Sequence, residues 1–190
     1  MIKIAVVGDI GSGKSHIAKL FGYPVFNADQ VVANIYKKNK KCFKRLKKNL
    51  PKYFSVFPAN KMQIMKAIED NDKNLKRITK IIHPEVRKKL STFLKKNEKK
   101  RAVVLDIPLL LENKLNHKND IIVFIQSKKS NIIKKLKKRN NFNLNLYNKF
   151  KKIQLPPSYK KKKSNYIIKN NFTNSFVKIS IKKILKEIIK

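Results

Sequence analysis

The sequence predicts an α/β fold with helices on both faces of a mostly parallel five-stranded sheet. Three observations carry this. Short apolar runs alternate with stretches whose apolar residues recur at helical spacing. Two of those runs, Ala102 to Leu105 and Ile121 to Ile125, hold no charge, as strands covered on both faces require. Between the first run, Ile2 to Val7, and the first helix stands Gly8-Asp9-Ile10-Gly11-Ser12-Gly13-Lys14-Ser15, which fits G-x-x-x-x-G-K-[ST] at every specified position.

That octapeptide makes chemical demands that its residue types meet. Glycines let the backbone curl around an anion, and the helix that follows offers unpaired N–H donors and the positive end of its dipole. Residues Gly8 to His16 are the expected ATP-binding stretch, with Lys14 reaching the outer phosphates and the Ser15 hydroxyl holding Mg2+. The competing explanation is a plain glycine turn. Strand before and helix after favour the phosphate-binding loop, and the expected architecture is a three-layer α/β/α P-loop domain spanning 1–190.

The remaining elements follow in order. Ile17, Ala18, Leu20 and Phe21 give the first helix an apolar side. Tyr23 to Phe26 reads as a second strand, and Asp29 stands at the start of a helix over Val31 to Tyr36. Asp29 is open to two explanations, a helix N-cap or a carboxylate aimed at the transfer site from a strand's C-terminal end. Residues 37–100 read as helical, polar and strand-poor, with Pro84 opening a helix after His83. His83 is either structural or a ligand contact, and Arg87 either a surface charge or a phosphate clamp.

Asp106 ends the third strand, either as a turn residue or as the acid that supports Mg2+ directly or through water. A fourth strand, Ile121 to Ile125, precedes a basic helix from Ser130 to about Arg139. Residues 140–160 are polar and weakly patterned, as a lid held only marginally would be. Tyr166 to Ile168 reads as the fifth strand. Val177, Ile181, Ile184, Leu185 and Ile188 predict a closing helix.

Composition narrows the class. With 190 residues, no apolar run of membrane length and one cysteine, Cys42, the chain reads as a cytoplasmic protein without a disulfide or a zinc site. Its net charge is +37, but 43 of its 48 basic residues are lysines spread along the whole length, and only Arg45, Arg77, Arg87, Arg101 and Arg139 are arginine. Solvated lysines on an ordinary fold explain this pattern, as does attraction to anionic substrates. An arginine kept in such a background offers a planar fork to phosphate that lysine does not.

With these residues in place, the chain resembles the dephospho-coenzyme A kinase family. The likeness is carried by GDIGSGKS, by N-A-D ending at Asp29, by L-K-R-I-T-K-I-I-H-P-E-V-R ending at Arg87, and by L-D-I-P-L-L-L-E ending at Glu112. Gln154-Leu155-Pro156 and N-Y-I-I-K-N-N extend it to most of the chain. The resemblance implies transfer of the ATP γ-phosphoryl group to the ribose 3′-hydroxyl of dephospho-coenzyme A, with ATP and Mg2+ as cofactors. The chain is expected to be a monomer, with neither a specific nucleic-acid partner nor a membrane. By position, Asp29 orients the hydroxyl and accepts its proton, Arg139 clamps the moving phosphoryl charge, His83 and Arg87 fall in the acceptor segment, and Asp106 is the acid after the third strand.

The chain departs from the family's pattern at Asp9, where small residues are usual, and at His16, where threonine is usual. Phe150 occupies the place of a lid arginine, flanked by Lys149 and Lys151. Two other readings stay open from the residues alone: a P-loop kinase acting on a nucleoside monophosphate or small metabolite, and a basic RNA-binding protein on a nucleotide-binding scaffold.

Overall fold

The computed structural model describes residues 1–138 and 142–189. Two compact units divide the chain: one made of Met1–Asn27 with Asn97–Lys190, the other of Ala28–Lys96. No helix among the described residues is long and apolar enough to cross a membrane.

The first unit is built on five strands, β1 (Ile2–Gly8), β2 (Val25–Asn27), β3 (Ala102–Asp106), β4 (Ile121–Gln126) and β5 (Tyr166–Lys169). They lie in the order β2-β3-β1-β4-β5, and every pairing is parallel. β1 is central because its side chains suit burial on both faces. Ile4 and Val6 face one side and Ala5 and Val7 the other, and all four are buried. On the Ile4 side, α1 (Lys14–Leu20) contributes Ile17 and Ala18 to the core, and Phe21, just past its end, joins them. Helix α9 (Asn174–Ile188) adds Val177, Ile181 and Ile184 to that same core. Burial of each such Val or Ile stabilises the unit by about 1.5–3 kcal/mol relative to exposure.

The second unit consists of α2 (Ala28–Lys38), α3 (Lys40–Asn49), α4 (Lys61–Asp70) and α5 (Asp72–Lys96). The Asn39 side chain caps α3 by accepting from the Cys42 N–H at 2.9 Å, and Asn60 with Gln63 forms a reciprocal cap on α4. These asparagines, with the fully buried Phe54, give order to the stretch 37–60 that has little pattern in sequence.

Two expectations are corrected here. Pro84 does not open a helix but lies inside the 25-residue α5. A proline removes one backbone hydrogen bond, yet α2, α3 and α4 all pack on α5, and the buried Ile78, Ile81 and Ile82 hold it up to the proline. Asp29 is not an N-cap either, since α2 begins one residue earlier and places it in the first turn, where an acid suits the helix dipole. In the first unit, the polar and weakly patterned stretch expected as the lid is partly helical. It holds α7 (Leu144–Lys152) and α8 (Pro157–Lys162), after α6 (Lys129–Lys137).

Candidate active site

The loop between β1 and α1 is shaped by backbone geometry that only glycine tolerates. Gly13 has φ 91°, and a Cβ there would stand 2.6 Å from Asn170 Nδ2. A Cβ on Gly8, at φ 152°, would meet the Ile125 carbonyl oxygen at 2.8 Å. The Lys14 ammonium donates to the carbonyl oxygens of Gly8 at 3.1 Å and Asp9 at 2.7 Å, so it lies across the first residues of the loop. Ser15 is exposed in the first turn of α1, and His16 Nε2 meets Asn174 Oδ1 at 2.7 Å.

The loop is braced by residues that its motif does not name. The carbonyl of the fully buried Ser12 accepts from Ser127 Oγ at 3.1 Å and from Asn170 Nδ2 at 2.8 Å. Asn170 is itself fixed: its N–H donates to Gln126 O at 2.8 Å and its Oδ1 accepts from Phe172 N at 2.8 Å. Polar residues just past the C-terminal ends of β4 and β5 are the available sequence signal, because parallel sheets assemble ligand sites at that edge.

Asp106 is buried at the end of β3, next to Asn27 in the register of β2, and its Oδ2 accepts from Asn27 Nδ2 at 2.6 Å. Beside the loop, a cavity of about 580 Å³ is lined by Asp9, Ile10, Gln126 and Ser127. Tyr147 and Lys151 of α7, with Gln154 to Ser158, also line it. Lys151 is one of the two lysines flanking Phe150, and its ammonium lies 5.8 Å from the Tyr147 ring centre. Among the described residues, no three His, Cys, Asp or Glu cluster as an all-protein metal cage.

In the helical unit, Asp29 is exposed in the first turn of α2, and α2 packs on α5. His83 and Arg87 lie one turn apart on α5. His83 is exposed at the surface, yet desolvation by the surrounding protein holds its pKa below the ordinary histidine value, and the Arg87 guanidinium adds to the effect. Cys42 is a buried free cysteine, and its thiol pKa is pushed up by burial first and then by the Glu85 carboxylate. Arg139, the expected clamp, lies outside the described residues.

The structure thus brings together Gly8 to His16 in the loop, Asp106 with Asn27, and His83 with Arg87. A glycine-shaped anion loop ahead of a helix, on a fully parallel sheet, defines a P-loop nucleotide-binding domain. The sequence model of the dephospho-CoA kinase family matches residues 2–175. A dephospho-CoA kinase of Wolbachia pipientis wMel is 32% identical over 187 residues, covering 96% of this chain and 95% of the relative. A crystal structure from Thermus thermophilus superimposes with TM-score 0.81 at 24% identity, covering 100% of this chain and 98% of the other. A dephospho-CoA kinase from Campylobacter jejuni does so with TM-score 0.66 at 20% identity, over 98% and 96%. The chain belongs to the dephospho-CoA kinase family, and it is a phosphotransferase.

Proposed function

We propose that this chain transfers the γ-phosphoryl group of ATP to the ribose 3′-hydroxyl of dephospho-coenzyme A, the last step in making coenzyme A. The observation that carries the reading is an intact phosphate loop, with Lys14 held across its first residues, inside a family match that spans residues 2–175.

Phosphoryl transfer runs through a loose transition state, so the chain's task is positioning and charge neutralisation. The N–H groups of the loop and of the first turn of α1 bind the phosphates, and Lys14 exchanges its loop carbonyls for phosphate oxygens. The residues fit Mg2+, a hard cation that keeps several waters and takes few protein oxygens. Ser15 would hold it directly and Asp106 through water. When bound, the ion neutralises charge building on the β- and γ-oxygens.

Asp29 aims the acceptor hydroxyl and takes its proton late, and Arg139 clamps the moving charge. Arg87 offers its fork to the acceptor's phosphates. The depressed His83 stays neutral near pH 7 and serves as a hydrogen-bond partner, not a second cation. Residues 140–160 act as the lid. The enzyme works as a cytoplasmic monomer without a specific nucleic-acid partner, and its lysine-borne attraction to polyanions falls steeply with salt.

The test is a panel of initial rates with ATP and Mg2+, offering dephospho-coenzyme A beside nucleoside monophosphates. The reading expects kcat/KM to be highest for dephospho-coenzyme A. A nucleoside monophosphate in first place would overturn the acceptor and leave the kinase.

A further inference from the structure

Of the 43 lysines in the chain, Lys160 stands apart. Among the described residues it is the buried lysine, with its side chain 3% exposed. Its ammonium meets Glu112 Oε1 at 2.9 Å, and the Glu112 side chain is 10% exposed. The same oxygen accepts from the Leu155 backbone N–H at 3.0 Å. One carboxylate therefore holds both the link Gln154-Leu155-Pro156 and the helix α8 that follows it.

Glu112 is itself held in place by a loop built for the purpose. It sits between Leu109 at φ 56° and Lys114 at φ 51°, left-handed conformations that non-glycine residues keep only where the surroundings hold them. The turn closes through Asn113 N to Leu109 O at 3.0 Å and Leu115 N to Leu110 O at 2.9 Å, with Leu110 buried beneath. This loop starts at Asp106, the end of β3.

A buried ion pair is a poor way to gain stability, because desolvating two charges offsets their attraction and an apolar pair of similar volume often does as well. What it does provide is a single geometry. Here that geometry fixes Gln154 to Ser158, which line the 580 Å³ cavity together with Asp9 and Ile10 of the phosphate loop and the end of β4.

We propose that Glu112 and Lys160 are positioning residues for phosphoryl transfer: their buried pair anchors the root of the segment 143–156 and places Gln154 and the α7 side chains Tyr147 and Lys151 beside the phosphate loop. The proposal rests on the kinase reading above for its activity readout, and on limited proteolysis for a readout independent of it.

The experiment compares the unmodified protein with the apolar double variant Glu112→Leu/Lys160→Met and with Glu112→Asp, which keeps the charge but withdraws it by one methylene. Thermal unfolding, kcat, KM for ATP and tryptic cleavage after Lys149, Lys151 and Lys152 are measured on each. The double variant is expected to unfold near the temperature of the unmodified protein and to lose about 10- to 100-fold in kcat, the scale of a misplaced catalytic geometry. KM for ATP is expected to change little, and cleavage in α7 to quicken. Glu112→Asp is expected to show the same pattern more weakly, and it decides the matter by the same readouts if the double variant does not fold. A kcat within about twofold of the unmodified value with an unchanged cleavage pattern would overturn the proposal, as would a kcat falling only in step with the folded fraction. If the unmodified protein leaves dephospho-coenzyme A untouched, the acceptor reading fails, and the cleavage pattern still decides whether the pair anchors the segment.

Discussion

On the proposed reading, the phosphate loop binds its ligand through the backbone, and α5 binds through the side chains of His83 and Arg87. Gly8, Gly11 and Gly13 adopt φ values of 152°, 82° and 91°, and neighbouring carbonyl, amide and leucine atoms leave little room for a Cβ at any of them. His83 and Arg87 ride on a regular helix whose backbone would accept many other residues. The difference explains why one region announces itself as a motif and the other does not. Backbone recognition fixes residue type at each position, whereas side-chain recognition fixes only which face of a helix carries a charge or a ring.

Four substitutions or titrations sharpen that contrast. The largest effect is expected from Lys14→Ala, which removes the cation from the loop and should lower kcat by about 10³-fold, the upper scale for one charge-stabilising donor. Circular dichroism should show the fold intact. A smaller loss, at least about 100-fold in turnover, is expected for Asp29→Asn, since a positioned general base is worth about 10² to 10⁴. Near-normal turnover in that variant removes Asp29 from the mechanism.

Gly13→Ala tests the backbone half of the comparison. The new methyl would press on Asn170 Nδ2 in a left-handed conformation, so denaturant unfolding should report a loss of about 1–3 kcal/mol together with weaker ATP binding. A variant as stable as the original would mean that the Asn170 brace yields. The smallest effect belongs to His83. Its folded pKa lies below the ordinary 6.5, so the unfolded chain binds the proton first. The stability linked to it is present above about 6.5 and is lost as pH falls below that value. His83→Gln should flatten this acid limb of the unfolding curve. A limb of unchanged steepness would assign it to other groups.

The strands and the phosphate loop were legible in the sequence because each follows from a local rule, apolar runs for a doubly covered sheet and glycines where φ is positive. Asp106 was legible for the same reason, as the residue ending a charge-free strand. The uninterrupted course of α5 through Pro84 was not, because the packing of three helices against it outweighs a missing N–H, and that packing is not local. Ser127 and Asn170 read as ordinary strand-end polar residues until their hydrogen bonds to Ser12 are seen. Lys160 reads as one of four lysines in a row, and nothing in that row marks the one that is buried. Its partner Glu112 precedes it by 48 residues.

The central claim concerns where the phosphoryl group arrives, and phosphorus NMR of the purified product tests it most directly. After incubation of the protein with ATP, Mg2+ and dephospho-coenzyme A, the account predicts a new phosphomonoester resonance coupled to the ribose C3′ proton, absent with Lys14→Ala. A product phosphorylated at any other position, or the same yield from the Lys14→Ala variant, would contradict it.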